Sequence, residues 1–245
     1  GICSGQGADE EMTKQLKSKQ RVADHGEVFT AEREVKAICD LVKQETERID
    51  SRFLEPACGN GNFLAEIFSR KLAVVRKKYK KSPYDWERNS LLALGSIYGV
   101  DLLIDNCIEC RQRLFKIWDK EYKAICKKEC NDNTREAAKF ILSRNIVCGN
   151  ALTLNCVDEN GNDTTWPIVF SEWTFPFNDA LMQRSDYTFA ELLAAEEEKS
   201  KRKKKKDEPK QISLMLDEDI REDPSDEGVF LKKSISHYRR IHENG

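Results

Sequence analysis

A chain of 245 residues is long enough for one sizeable core and a small appendage. With 39% apolar and 34% charged residues it reads as a soluble, highly charged protein. A formal net charge of −2 requires any nucleic-acid surface to be local rather than global. No apolar run reaches the roughly 18 residues that span a bilayer, and no charged start followed by an apolar stretch marks secretion. The expectation is therefore a cytoplasmic protein with no membrane contact.

The nine cysteines, an odd number without a secretory signal, read as reduced thiols. Cys107-x-x-Cys110 and Cys126-x-x-x-Cys130 come close to a four-thiolate zinc pattern. A single helix over 104–129, however, would hold the two pairs about 24 Å apart at 1.5 Å per residue. No metal is expected.

In chain order, residues 1–20 are a polar N-terminal segment. Val35, Ile38, Leu41 and Val42 share one face of a helix over 31–45, with Thr30 as its N-cap. Residues 52–55 read as a strand, 56–62 as its turn, and 63–78 as a helix with Leu64, Ile67, Phe68, Leu72 and Val75 apolar. The stretch 77–89, containing Pro83, reads as a charged surface connection. A second strand ends at Tyr98-Gly99-Val100-Asp101, and a long helix follows from about Asp105. Another helix covers 134–143, a third strand 145–150, and a fourth 166–171. This alternation predicts an α/β fold with a mostly parallel sheet. Residues 181–245 read as a charged extension: a helical piece at 187–195, a solvated basic linker at 199–206, and short strands at 211–216 and 228–231.

Several polar and glycine positions fall at strand ends. Gly59 and Gly61 follow the first strand, where absent side chains let a ligand approach the backbone. Asp101 ends the second strand, where a carboxylate suits a ribose diol. Asn150 ends the third, where a side-chain carbonyl can accept from the adenine amine, with Ile146 and Leu152 as apolar walls for the purine. All would lie on the carboxyl edge of the sheet, where open α/β folds bind ligands. A dinucleotide pattern would have a third glycine where Leu64 stands and an acid about 20 residues on, far closer than Asp101.

Leu54-Glu55-Pro56-Ala57-Cys58-Gly59-Asn60-Gly61-Asn62-Phe63-Leu64 resembles the cofactor motif of the N6-adenine DNA methyltransferases of restriction-modification systems. Gly26-Glu27-Val28-Phe29-Thr30 is similar to the motif that family places before its methionine-binding helix, with Ala31 where proline is usual. The resemblance covers roughly residues 20–175. It implies that Phe29, Thr30, Glu55, Ala57, Gly59 and Gly61 surround S-adenosylmethionine, that Asp101 holds the ribose, and that Asn150 faces the adenine where the family has aspartate.

The family's Asn/Asp-Pro-Pro-aromatic signature is missing from the sequence. At the expected tip of the fourth strand stand Glu172, which could accept from a target amine, and Trp173, which could stack on a flipped base. The resemblance thus implies a Rossmann-like S-adenosylmethionine-dependent methyltransferase domain over 21–180, with a reduced C-terminal half. It would transfer methyl to adenine N6 in DNA, alongside a specificity or endonuclease subunit. The alternative is a degenerate subunit of the same fold that binds cofactor or a partner without methylating.

Overall fold

The computed structural model describes residues 43–195 and 232–245, residues 35, 36 and 39, and the backbone of 215–216. It is an α/β structure with two sheets. β1 (Arg52–Glu55), β2 (Ile97–Asp101) and β3 (Ile146–Asn150) are parallel neighbours. An antiparallel hairpin, β4 (Asn155–Val157) and β5 (Asp163–Pro167), continues the sheet beyond β3. On its far side β8 (Met215–Leu216) pairs antiparallel with β1, giving the order β5-β4-β3-β2-β1-β8. β6 (Val169–Thr174), β7 (Leu181–Thr188) and β9 (Lys232–His237) form a separate antiparallel sheet in the order β6-β7-β9.

Strand alternation sorts the core into two layers. Phe53, Ile97 and Ile146 face one side, against α1 (Asn62–Tyr79), α2 (Pro83–Gly95), α3 (Ile104–Cys126) and α4 (Asp132–Asn145). Leu54, Tyr98, Val100 and Val147 face the other, against Ile168, Phe170 and Phe189. Between the helices Trp86 stacks on Tyr122 at 5.6 Å and Trp118 lies 4.6 Å from Tyr122.

Three expectations change. The stretch 77–89 is not a surface connection, because from Pro83 onward it is α2. Ser82 caps it by accepting from the Asp85 N–H at 3.2 Å, Pro83 opens it, and Trp86, Leu91 and Leu94 are fully buried. The fourth strand does not join the parallel sheet, because Trp166 and Pro167 end β5 while β6 starts the second sheet. Residues 181–188, expected in a C-terminal extension, pair with β6 along its whole length, so residue 180 lies within a hairpin. The basic run 199–206, residues 211–214 and residues 228–231 lie outside the described residues. Among the described residues no helix is long and apolar enough to cross a membrane.

Candidate cofactor site at the carboxyl edge

β1 ends at Glu55, and the chain turns through Pro56–Gly61 into α1. The turn needs glycine twice, since Gly59 (φ 52°) and Gly61 (φ 86°) both lie in the left-handed region. At Gly61 there is also no room, as a Cβ would stand 2.6 Å from Cys110 Sγ. The turn is tied to β2 through the Cys58 N–H, which donates to Val100 O at 2.9 Å, and the Gly59 N–H, which donates to Asp101 Oδ2 at 2.9 Å. Asp101 Oδ1 accepts from Leu103 N at 2.9 Å and Asn106 Nδ2 at 3.1 Å. A carboxylate offers about four lone-pair sites, so Asp101 keeps about one for a ribose hydroxyl unless a ligand displaces the Gly59 amide.

Around this centre lie the other sites the sequence picks out. Ala57 is exposed, and its N–H reaches Glu55 Oε1 at 3.4 Å. Burial pushes the Glu55 carboxyl above the usual carboxylate range, and that backbone bond opposes the shift. Asn60 Nδ2 donates to Glu109 Oε1 at 3.4 Å, while Asn60 Oδ1 is buried without a partner. Asn150 stands at the tip of β3, but its polar atoms are engaged. Its Oδ1 accepts from Leu152 N at 2.9 Å and its Nδ2 donates to Asp163 Oδ1 at 3.1 Å. One lone pair of Oδ1 remains for an adenine amine.

The apolar walls differ from expectation. Ile146 is fully buried at the start of β3 and cannot face a purine, and Leu152 is 94% exposed. Leu102 and Ile104, directly after Asp101, are 38% and 49% exposed and present apolar surface beside the acid. The readable signal for them was the apolar run Leu102-Leu103-Ile104 immediately following a strand-tip acid.

Phe29 and Thr30 lie outside the described residues. Glu172 and Trp173 lie at the wrong end of the sheet for a catalytic role beside this site. β6 starts near the carboxyl end of β3, where Ile168 abuts Gly149, and runs toward the amino edge. There Glu172 meets Arg52, the first residue of β1, at 3.5 Å. Trp173 packs on Gly95, its Nε1 donates to Asn145 Oδ1 at 3.4 Å, and it is 4% exposed. The length of β2, five residues at about 3.3 Å each, separates them from Asp101. Neither group reaches an acceptor held at the carboxyl edge. Cys110 and Cys126 sit near opposite ends of α3, and no group of acidic, histidine or cysteine residues among the described ones is arranged to hold a metal ion.

Comparison with protein-family models, with curated proteins and with solved structures finds no match to this chain.

Proposed function

We propose that this chain is the cofactor-binding part of an S-adenosylmethionine-dependent methyltransferase with a Rossmann-like fold, acting on adenine N6 in DNA within a restriction-modification-like system. The observation that carries the reading is the direct bond from the Gly59 amide in the glycine turn to Asp101, which joins the resembling motif to the ribose-type acid in one carboxyl-edge site. The residues present fit the cofactor. Gly59 and Gly61 leave the backbone of the turn bare. Leu102 and Ile104 offer apolar surface for a purine. The Asn60 carbonyl oxygen is a buried acceptor without a donor, an unfavourable state that a nearby N–H group would relieve.

In this reading Asp101 holds the ribose, Asn150 receives the adenine amine, and Glu55 balances the positive charge of the methionine part. Bound there, the cofactor supplies an electrophilic methyl group on a sulfonium. The chain's own residues orient the adenosine and keep Asp101 aligned through Leu103 and Asn106. DNA, and a specificity or endonuclease subunit, are the partners this function calls for.

A second reading, a methyltransferase-fold subunit that binds cofactor or a partner without transferring methyl, is favoured by one observation. Glu172 and Trp173 are committed to the amino edge, and the sequence holds no Pro-Pro dipeptide to replace them. A transfer assay separates the two: full-length chain, labelled S-adenosylmethionine, unmodified DNA, and digestion to nucleosides. Label in N6-methyl-2′-deoxyadenosine supports the enzyme. Bound cofactor with no transferred label supports the subunit.

A further inference from the structure

Three elements bring four thiols to the carboxyl edge: Cys58 in the glycine turn, Cys107 and Cys110 in the first turns of α3, and Cys148 in β3. They sort into two neighbouring pairs, Cys58 with Cys110 and Cys107 with Cys148. Both members of the first pair are buried, at 6% and 0% exposure, and the Cys110 contact and burial push the Cys58 thiol up, away from the attacking form. The second pair is built differently. Cys107 is sealed at 0% exposure, whereas Cys148 is only half-buried.

The backbone explains why these two sulfurs meet. Cys148 stands in register with Asp101 across the β2–β3 ladder, and Cys107 closes the first turn of α3, its N–H donating to Leu103 O at 3.2 Å. Their thiols face consecutive carbonyls, Cys107 Sγ toward Asp101 O at 3.8 Å and Cys148 Sγ toward Leu102 O at 3.5 Å. The contact with Cys107 holds the Cys148 thiol below its ordinary range, and Arg111 acts in the same direction. The accessible sulfur is therefore also the more readily deprotonated of the two, and the thiolate is the attacking form.

We propose that Cys148 and Cys107 are an oxidisable dithiol pair that hydrogen peroxide converts to an intramolecular disulfide tying β3 to the first turn of α3. The Cys148 thiolate attacks a peroxide oxygen. The S–O bond forms, the O–O bond breaks, and the hydroxide released takes up the proton Cys148 gave and leaves as water. Cys107 then attacks the sulfenic sulfur, so that the S–S bond forms, the S–O bond breaks, and a second water leaves with the Cys107 proton. Two thiols lose two electrons in total, and hydrogen peroxide accepts them. Burial of Cys107 fixes the order, since the oxidant reaches Cys148 first. The bridge closes around the Asp101 and Leu102 carbonyls, behind the candidate ribose acid, but the inference rests on thiol geometry and not on the cofactor reading.

The test treats the full chain with hydrogen peroxide and maps its tryptic peptides without reduction. Cys110 shares a peptide with Cys107, and Cys156 shares one with Cys148, so fragmentation assigns the bridged sulfurs. The expected result is a Cys107–Cys148 bridge, lighter by two hydrogens and reversed by dithiothreitol. It is lost in Cys148→Ser and kept in Cys110→Ser and Cys156→Ser. In Cys107→Ala the reaction stalls, and dimedone labels Cys148 severalfold more than in the native chain. Should Cys107→Ala fail to fold, the native and Cys148→Ser comparison still decides, because that position is not sealed in the core. Cys148 passing to sulfinic acid with no bridge, a bridge between other cysteines, or no oxidation of Cys148 would each overturn the proposal.

Discussion

At the scale of single residues, Gly61 and Lys71 carry the clearest demands. Gly61 combines a left-handed backbone with a Cβ position 2.6 Å from Cys110 Sγ, so Gly61→Ala meets strain and collision together. A loss of about 1–3 kcal/mol is expected in chemical denaturation, while a wild-type midpoint would mean the turn relaxes freely. Lys71 is fully buried on α1, and its Nζ donates to Arg48 O at 2.8 Å, Ile49 O at 3.2 Å and Ser51 O, holding the approach to β1. Burial pulls its pKa from 10.5 down to about 7. Between those values the unfolded chain keeps a proton that the native chain has released, so Lys71 makes stability rise with pH across that window. Denaturation midpoints at pH 7 and near pH 10 should show that rise. Lys71→Met should flatten it while destabilising the fold, because buried carbonyls lose their donor. An unchanged pH slope in the variant would refute the assignment.

At the scale of elements, a buried carboxylate joins α2 and α3 to the C-terminal turn. Glu87, fully buried on α2, accepts from the Tyr122 and Tyr238 hydroxyls and from Arg239 Nη2 at 2.8 Å. Glu87→Ala would leave that arginine and both hydroxyls without their acceptor, a loss of roughly 3–5 kcal/mol. Glu87→Gln keeps an acceptor and should lose less, and equal losses would mean that an acceptor without the charge contributes nothing. β6 gives a prediction of a different kind. Trp173→Ala empties a core position and should lose about 3–5 kcal/mol, yet Glu172→Ala should leave cofactor affinity unchanged because Arg52, not a ligand, is its partner. Affinity lost in Glu172→Ala would return β6 to the site. The direction of β6 was not readable from residues 166–174, since an apolar strand looks the same in either sense. Direction here depends on distant partners, Gly149 at one end and Gly95 with Asn145 at the other. α2 did announce itself, through Ser82, Pro83 and Asp85, but the charged residues around them read as a loop.

At the scale of the whole molecule, the parallel core was legible because each of its strands ends on a local signal: a glycine turn after β1, an acid closing β2, Gly149-Asn150 at the end of β3. The second sheet was not, because β9 comes back from residue 232 to pair with β7, a contact no local pattern encodes. The candidate site was legible in its residue types and less so in their commitments. Asp101 holds the turn and the start of α3 as well as facing the edge, and Asn150 is bonded to β5. The outcome is a scaffold whose carboxyl edge carries the candidate site while its amino edge absorbs Glu172 and Trp173. The most direct test of this account is a calorimetric titration of the full chain with S-adenosylhomocysteine, beside Asp101→Ala. Saturable binding by the native protein, weakened at least tenfold by the substitution, is the predicted result. No heat of binding from well-folded native protein would contradict it and leave the glycine turn a purely structural feature.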